Sequence, residues 1–143
     1  MLKKLKLTFA IFLLIIMTAP AQSENMMSSS GYSETMLDMA SNMQNILFGI
    51  FVEDYNQVAN IAEDIAYHPG PELEKRLALL KKLEMEAMTF KLHEDRVRQN
   101  AVELMKAAEK PNRLEVLEKF SQLATSCTEC HITYRAKVRN LHR

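Results

Sequence analysis

Two cysteines and a histidine carry the chemistry legible in this chain: Cys127-Thr128-Glu129-Cys130-His131. The spacing C-x-x-C-H is the attachment signature of a c-type haem. Two thiols so placed can form thioethers to the vinyl groups on one edge of a porphyrin. The adjacent histidine then lies under the ring and offers a nitrogen to the iron. Competing chemistries fit less well. A thioredoxin-like C-x-x-C belongs near a βαβ pattern, and the sequence shows no strand pattern. A zinc site needs a fourth ligand, and His68, His93 and His142 are scattered without paired spacing. Both cysteines lie in the motif, so none is left for a structural disulfide.

The start of the chain places this chemistry outside the cytoplasm. Residues 1–21 read as a secretory signal peptide: Lys3, Lys4 and Lys6 form a basic start, residues 7–17 are apolar, and Ala19-Pro20-Ala21 is a small-x-small cleavage site. The apolar run falls short of the roughly 20 residues that span a bilayer. Cleavage after Ala21 is therefore expected, with no membrane anchor afterwards. Export suits the motif, because c-type haem is attached outside the cytoplasm in bacteria, and the expected location is the periplasm. Loss of the three lysines leaves the mature chain acidic by about three charges. A nucleic-acid binder should carry a net basic field, so none is expected here.

The elements that must position the motif read as helices. Residues 22–32 are small, polar and aperiodic, a flexible leader in which Met26 and Met27 have nothing local to fix them. The domain is expected over residues 33–143. Met36, Met39, Met43, Ile46 and Ile50 alternate steps of three and four, one apolar stripe of a helix over residues 33–51. Its three methionines are either core filling, since thioethers adapt to irregular gaps, or include a ligand lying over the iron. Gly49 and Glu53-Asp54 mark a turn, and Asp54 with Gln57 has the form of a capping box. A second helix runs to about residue 67 and stops at His68-Pro69-Gly70-Pro71. His68 there favours the helix dipole.

Residues 72–110 contain no proline or glycine but are long for one straight helix, so a short helix to about residue 81 is expected before a third main one. Glu94 interrupts the apolar rhythm of that third helix and is expected to meet solvent at a haem edge or bundle flank, with His93 at the surface. Asn112 and Glu115 cap a fourth helix that runs to the C-terminus. Its seam reads Leu117, Phe120, Ala124, Cys127, His131, Tyr134, Val138 and Leu141, which puts Cys127 and His131 on the buried stripe and Cys130 on its flank. Helices of this length span roughly 30 Å for 20 residues. With short links they make an all-α, antiparallel four-helix bundle, here with the haem covalently attached.

The chain resembles the class II cytochromes c, the cytochrome c′ family. The haem motif lies near the C-terminus on the last of four helices, and the run from Cys127 to Arg135 resembles the family's C-x-x-C-H-x-x-aromatic-Arg ending. The stretch Met36-Leu37-Asp38-Met39-Ala40-Ser41-Asn42-Met43 resembles the first helix of the low-spin, methionine-ligated members. The resemblance implies one haem c held by Cys127 and Cys130, with His131 as proximal ligand. It also implies Arg135 beside the proximal face and Met36 at the distal position. A slip of one residue would put Leu37 there, and Met39 and Met43 remain rivals.

On this reading the protein is a monohaem electron carrier rather than an enzyme. No paired carboxylates and no nucleophile with a base stand out. The alternative is a high-spin cytochrome c′ with an open distal site for nitric oxide or carbon monoxide. Its partners are expected to be redox proteins. Arg135, Lys137, Arg139 and Arg143 form a basic end that suits either an acidic redox partner or the dipole of a helix C-terminus. The resemblance also admits a homodimer through the first two helices.

Overall fold

Five helices form where the apolar rhythm, the caps and the breakers place them. The computed structural model describes residues 31–139. The signal-peptide segment, most of the leader with Met26 and Met27, and Leu141, His142 and Arg143 lie outside the described residues. The helices are α1 (Gly31–Phe51), α2 (Tyr55–Ala66), α3 (Leu73–Leu83), α4 (Ala87–Glu109) and α5 (Arg113–Arg139), with a single 3-10 turn over Glu84–Glu86. The four long helices make the bundle, and α3 packs across one end as the short helix expected before α4. None of the described helices is long and apolar enough to cross a membrane.

The caps follow the sequence. Asp54 Oδ1 accepts a hydrogen bond from Gln57 N at 3.0 Å, and Asn112 Oδ1 accepts from Leu114 N at 3.1 Å. Each satisfies a backbone N–H that the first helical turn leaves unpaired. The α2 C-terminus differs from expectation. Arg98 of α4 donates to the carbonyls of Ala66 at 2.9 Å and His68 at 2.6 Å. His68 Nδ1 accepts from Gly70 N at 2.8 Å, so that nitrogen carries no proton. Arg98 is thus a cation that meets the carbonyls of this helix end.

Three further expectations shift. The helix α1 begins two residues before residue 33, and Tyr32, expected in the leader, is only 5% exposed. Gly49 does not mark a turn. It is buried inside α1, where an added Cβ would stand 2.9 Å from Val58 Cγ2 of α2. The turn lies beyond, at Glu53, whose φ is 60°. The seam of α5 is turned slightly from expectation: Val116 is fully buried while Leu117 is 49% exposed, and Phe120, Cys127, Tyr134 and Val138 pack inward as expected.

Buried residues form two clusters. One is built on Ile46, Val58, Ile65, Leu104, Val116 and Leu123. The other gathers Tyr32, Leu79, Leu83, Phe90 and Tyr134 at the end where α3 crosses. Each fully buried Ile or Leu contributes about 1.5–3 kcal/mol, so the first cluster supplies most of the hold between helices. The bundle is closed unevenly. The pairs α1–α2, α2–α4 and α4–α5 pack closely, whereas α1 and α5 meet sparsely. At one end that fourth side is tied by Arg113 Nη2 and Glu53 Oε2 at 2.7 Å.

Candidate functional site

The haem motif lies in the middle of α5 and straddles the two clusters. Cys127 packs against the first and Cys130 against the second. Cys127 and Tyr134 hold the packed seam as expected, but Cys130 also packs inward and His131 is turned to the surface. Glu129 marks the side of α5 that faces α4, because it reaches across to Arg96 of α4 at 3.1 Å. His131 is two residues further on, and at about 100° per residue it stands about 160° around the helix from Glu129. It therefore faces away from α4, toward the sparsely closed α1–α5 side.

Met36 is placed by the same helix geometry. Gly49 faces α2, as its close approach to Val58 shows. Met36, thirteen residues earlier, is about 140° around α1 from Gly49 and so faces away from α2. It is 38% exposed. Register fixes its height. The Glu53–Arg113 ion pair joins the two antiparallel helices at one end. Seventeen residues back from Glu53 is Met36, and seventeen forward from Arg113 is Cys130. Equal rise per residue puts Met36 level with Cys130 and His131, on the same side of the bundle.

The other candidates sit at other positions on α1. Met39 is half-buried and level with Cys127, and Met43 is level with Leu123 and packed into the first cluster. Leu37 is turned outward and well exposed.

The donor set suits a covalently bound haem. Both cysteines are free, and burial pushes both thiols up, Cys130 to about 11 with the charges of Glu94 and Cys127 adding. Each therefore keeps the S–H that a thioether to a vinyl group consumes. Loss of water around the ring, and then the Arg135 guanidinium one turn on, pull the His131 pKa below its usual value. A neutral imidazole is the form that binds a metal. Arg135 itself is exposed, close enough to His131 to act on its charge. Two buried polar atoms near Cys130, Tyr32 OH and His93 Nδ1, have no hydrogen-bond partner, and both can donate to a cofactor that carries carboxylates.

Two features here were missed from sequence. His93, expected at the surface, is half-buried with its ring edge-on to Tyr134 at 5.7 Å. Glu94 sits on the inward seam of α4 and pairs with Arg76 of α3 at 3.4 Å. Its break in the apolar rhythm was the signal, but the partner on a separate short helix has no sequence signature. Among the described residues no three His, Cys, Asp or Glu side chains converge to hold a bare metal ion.

The comparisons agree with the motif. The family model described as cytochrome C' matches residues 20–135. No curated protein and no solved structure matches the chain. A match over most of the chain, with the haem motif on the last helix of a four-helix bundle, places it: the chain belongs to the cytochrome c′ family, whose members bind one covalently attached haem c.

Proposed function

We propose that this c-type cytochrome is a periplasmic one-electron carrier with six-coordinate iron. On this reading Cys127 and Cys130 would hold the haem, and His131 and Met36 would supply the iron's protein ligands. The haem, when bound, supplies one iron that alternates between ferric and ferrous states. The chain's own residues do the rest. His131 offers a neutral nitrogen from α5, and Met36 offers a thioether from α1. With both ligand positions filled, little rearrangement separates the two oxidation states, and thioether ligation raises the potential. The observation that carries the reading is the register across the fourth side of the bundle: Met36 is level with Cys130 and His131 and turned to the same face. The electron is exchanged with redox partner proteins, and the chain has no catalytic role of its own.

The test is the absorption spectrum of the purified holoprotein, oxidised and reduced. The expected result is a weak ferric band at the red end from thioether ligation, with sharp split bands on reduction. Replacement Met36→Leu should abolish that band. Survival of the band in the variant would make Met39 or Met43 the ligand. A broad high-spin wild-type spectrum that changes with nitric oxide or carbon monoxide would replace the carrier by a gas-binding cytochrome. The terminus of the mature protein, expected at Gln22, tests export by cleavage after Ala21.

A further inference from the structure

The bundle interior carries a carboxylate at the height of the haem motif. Phe90 of α4 meets Tyr32 of α1 edge-on with ring centroids 6.4 Å apart, and Tyr134 of α5 edge-on at 5.1 Å. In the bundle α1 and α4 run in the same direction and α5 runs against them. One turn beyond this ring cluster therefore lie Met36, Glu94 and Cys130, at a common level. The Glu94 charge raises both the Tyr32 hydroxyl and the Cys130 thiol. On its other side Glu94 meets the Arg76 guanidinium at 3.4 Å. The side chains of Arg76 and Glu94 are 32% and 24% exposed, so the carboxylate is inside the bundle yet within reach of water.

We propose that Glu94 takes up the proton that accompanies reduction of the bound haem, so that the protein moves an electron and a proton together. The inference rests on haem attachment at Cys127 and Cys130. The balance is simple. One electron enters from a one-electron donor protein, one proton enters from water, and one O–H bond forms on the Glu94 carboxyl. Oxidation reverses all three. Reduction removes one positive charge from the neighbourhood of Glu94. A carboxylate in partly dry surroundings then loses part of what kept it ionised.

The groups facing Glu94 set where this occurs. They are Tyr32 from α1, Arg76 from α3, Lys91, Asp95 and Arg98 on its own helix, and Cys130 from α5. The Cys130 thiol is consumed on attachment and no longer titrates. Burial pushes Glu94 up, Arg76, Arg98 and Lys91 pull it down, and Asp95 adds to the rise, leaving it above the usual carboxylate range. The haem's own carboxylates are the competing titrating groups, and a variant separates them.

The experiment is the midpoint potential of the holoprotein against pH, for wild type and Glu94→Gln. The wild-type potential should fall as pH rises through the Glu94 range, with a limiting slope of about 59 mV per tenfold change in proton concentration. Glu94→Gln should flatten that range and join the wild type at low pH. Arg76→Gln, which removes the guanidinium, should move the sloping range to higher pH. A reduced-minus-oxidised infrared spectrum should show a protonated carboxyl band in the wild type that Glu94→Gln lacks. An unchanged slope in Glu94→Gln, a flat wild type, or an unmoved range in Arg76→Gln overturns the proposal. If Glu94→Gln does not fold, the Arg76→Gln shift and the wild-type infrared band decide it. Acid extraction is done first. Haem that extracts overturns the attachment reading and this one with it, whereas retained haem with a flat potential overturns this one alone.

Discussion

Replacing Gly49 by alanine should destabilise the bundle in the native background and stabilise it when Val58 is shortened. Two effects compete. Alanine is a better helix former than glycine by about 1 kcal/mol. Against this, the new Cβ would stand 2.9 Å from Val58 Cγ2 and 3.3 Å from Asp54 O. Forcing a methyl into packed surroundings costs about 1–3 kcal/mol, so the net loss in Gly49→Ala is about 0–2 kcal/mol. Val58 is fully buried, and Val58→Ala alone should cost about 2 kcal/mol in lost burial and cavity. In that variant the alanine Cβ fills space instead of striking a methyl, and Gly49→Ala should gain about 1 kcal/mol. The coupling is then about 1–3 kcal/mol, a size reached only by residues in direct contact. Urea unfolding of the four holoproteins, followed by far-ultraviolet circular dichroism, measures it. Equal effects of Gly49→Ala in both backgrounds would refute the idea that Gly49 makes room for Val58. They would also remove the anchor by which Met36 is assigned to the far side of α1.

Two further predictions concern groups the fold constrains. Tyr32 is pushed up to about 12, first by burial and then by the Glu94 charge. An acid raised in the folded state binds its proton more tightly there than in the unfolded chain. Its contribution is therefore complete below pH 10 and lost as pH climbs to about 12, a loss of order 2 kcal/mol. Urea midpoints across that range should fall in the wild type and fall less in Tyr32→Phe. Arg98→Met removes two charge-assisted hydrogen bonds to the α2 C-terminal carbonyls. It should cost about 1.5–3 kcal/mol in the same unfolding assay, while Arg98→Lys, with one donor centre in place of a fork, should recover only part.

The haem motif and the helices were legible because their signals are local. A C-x-x-C-H run, a capping aspartate and a proline stop each act over a few residues, and Asp54, Asn112 and Pro111 do in the structure what their types suggest. What sequence periodicity could not give was rotation of a helix about its own axis. In α5 the stripe through Leu117 and His131 and the stripe through Val116 and Cys130 are both apolar enough to be the seam. Position in the bundle decides between them. With α4 packed tightly on one flank and α1 sparse on the other, the seam turns toward α4, burying Val116, half-burying Cys130 and bringing His131 out.

That rotation bears directly on function. A histidine on the buried seam would be walled in by α4 and by the first cluster, with no room for a flat ring beside it. On the flank that faces away from α4, His131 shares the loosest side of the bundle with Met36 of α1. The register set by Glu53 and Arg113 brings the two to one height. Opposite them in the interior stands Glu94, held by Arg76 from the short helix that caps this end. A bundle closed equally on all four sides would bury these residues against one another. The sparse packing of α1 on α5 leaves the Met36 and His131 side chains exposed on that side.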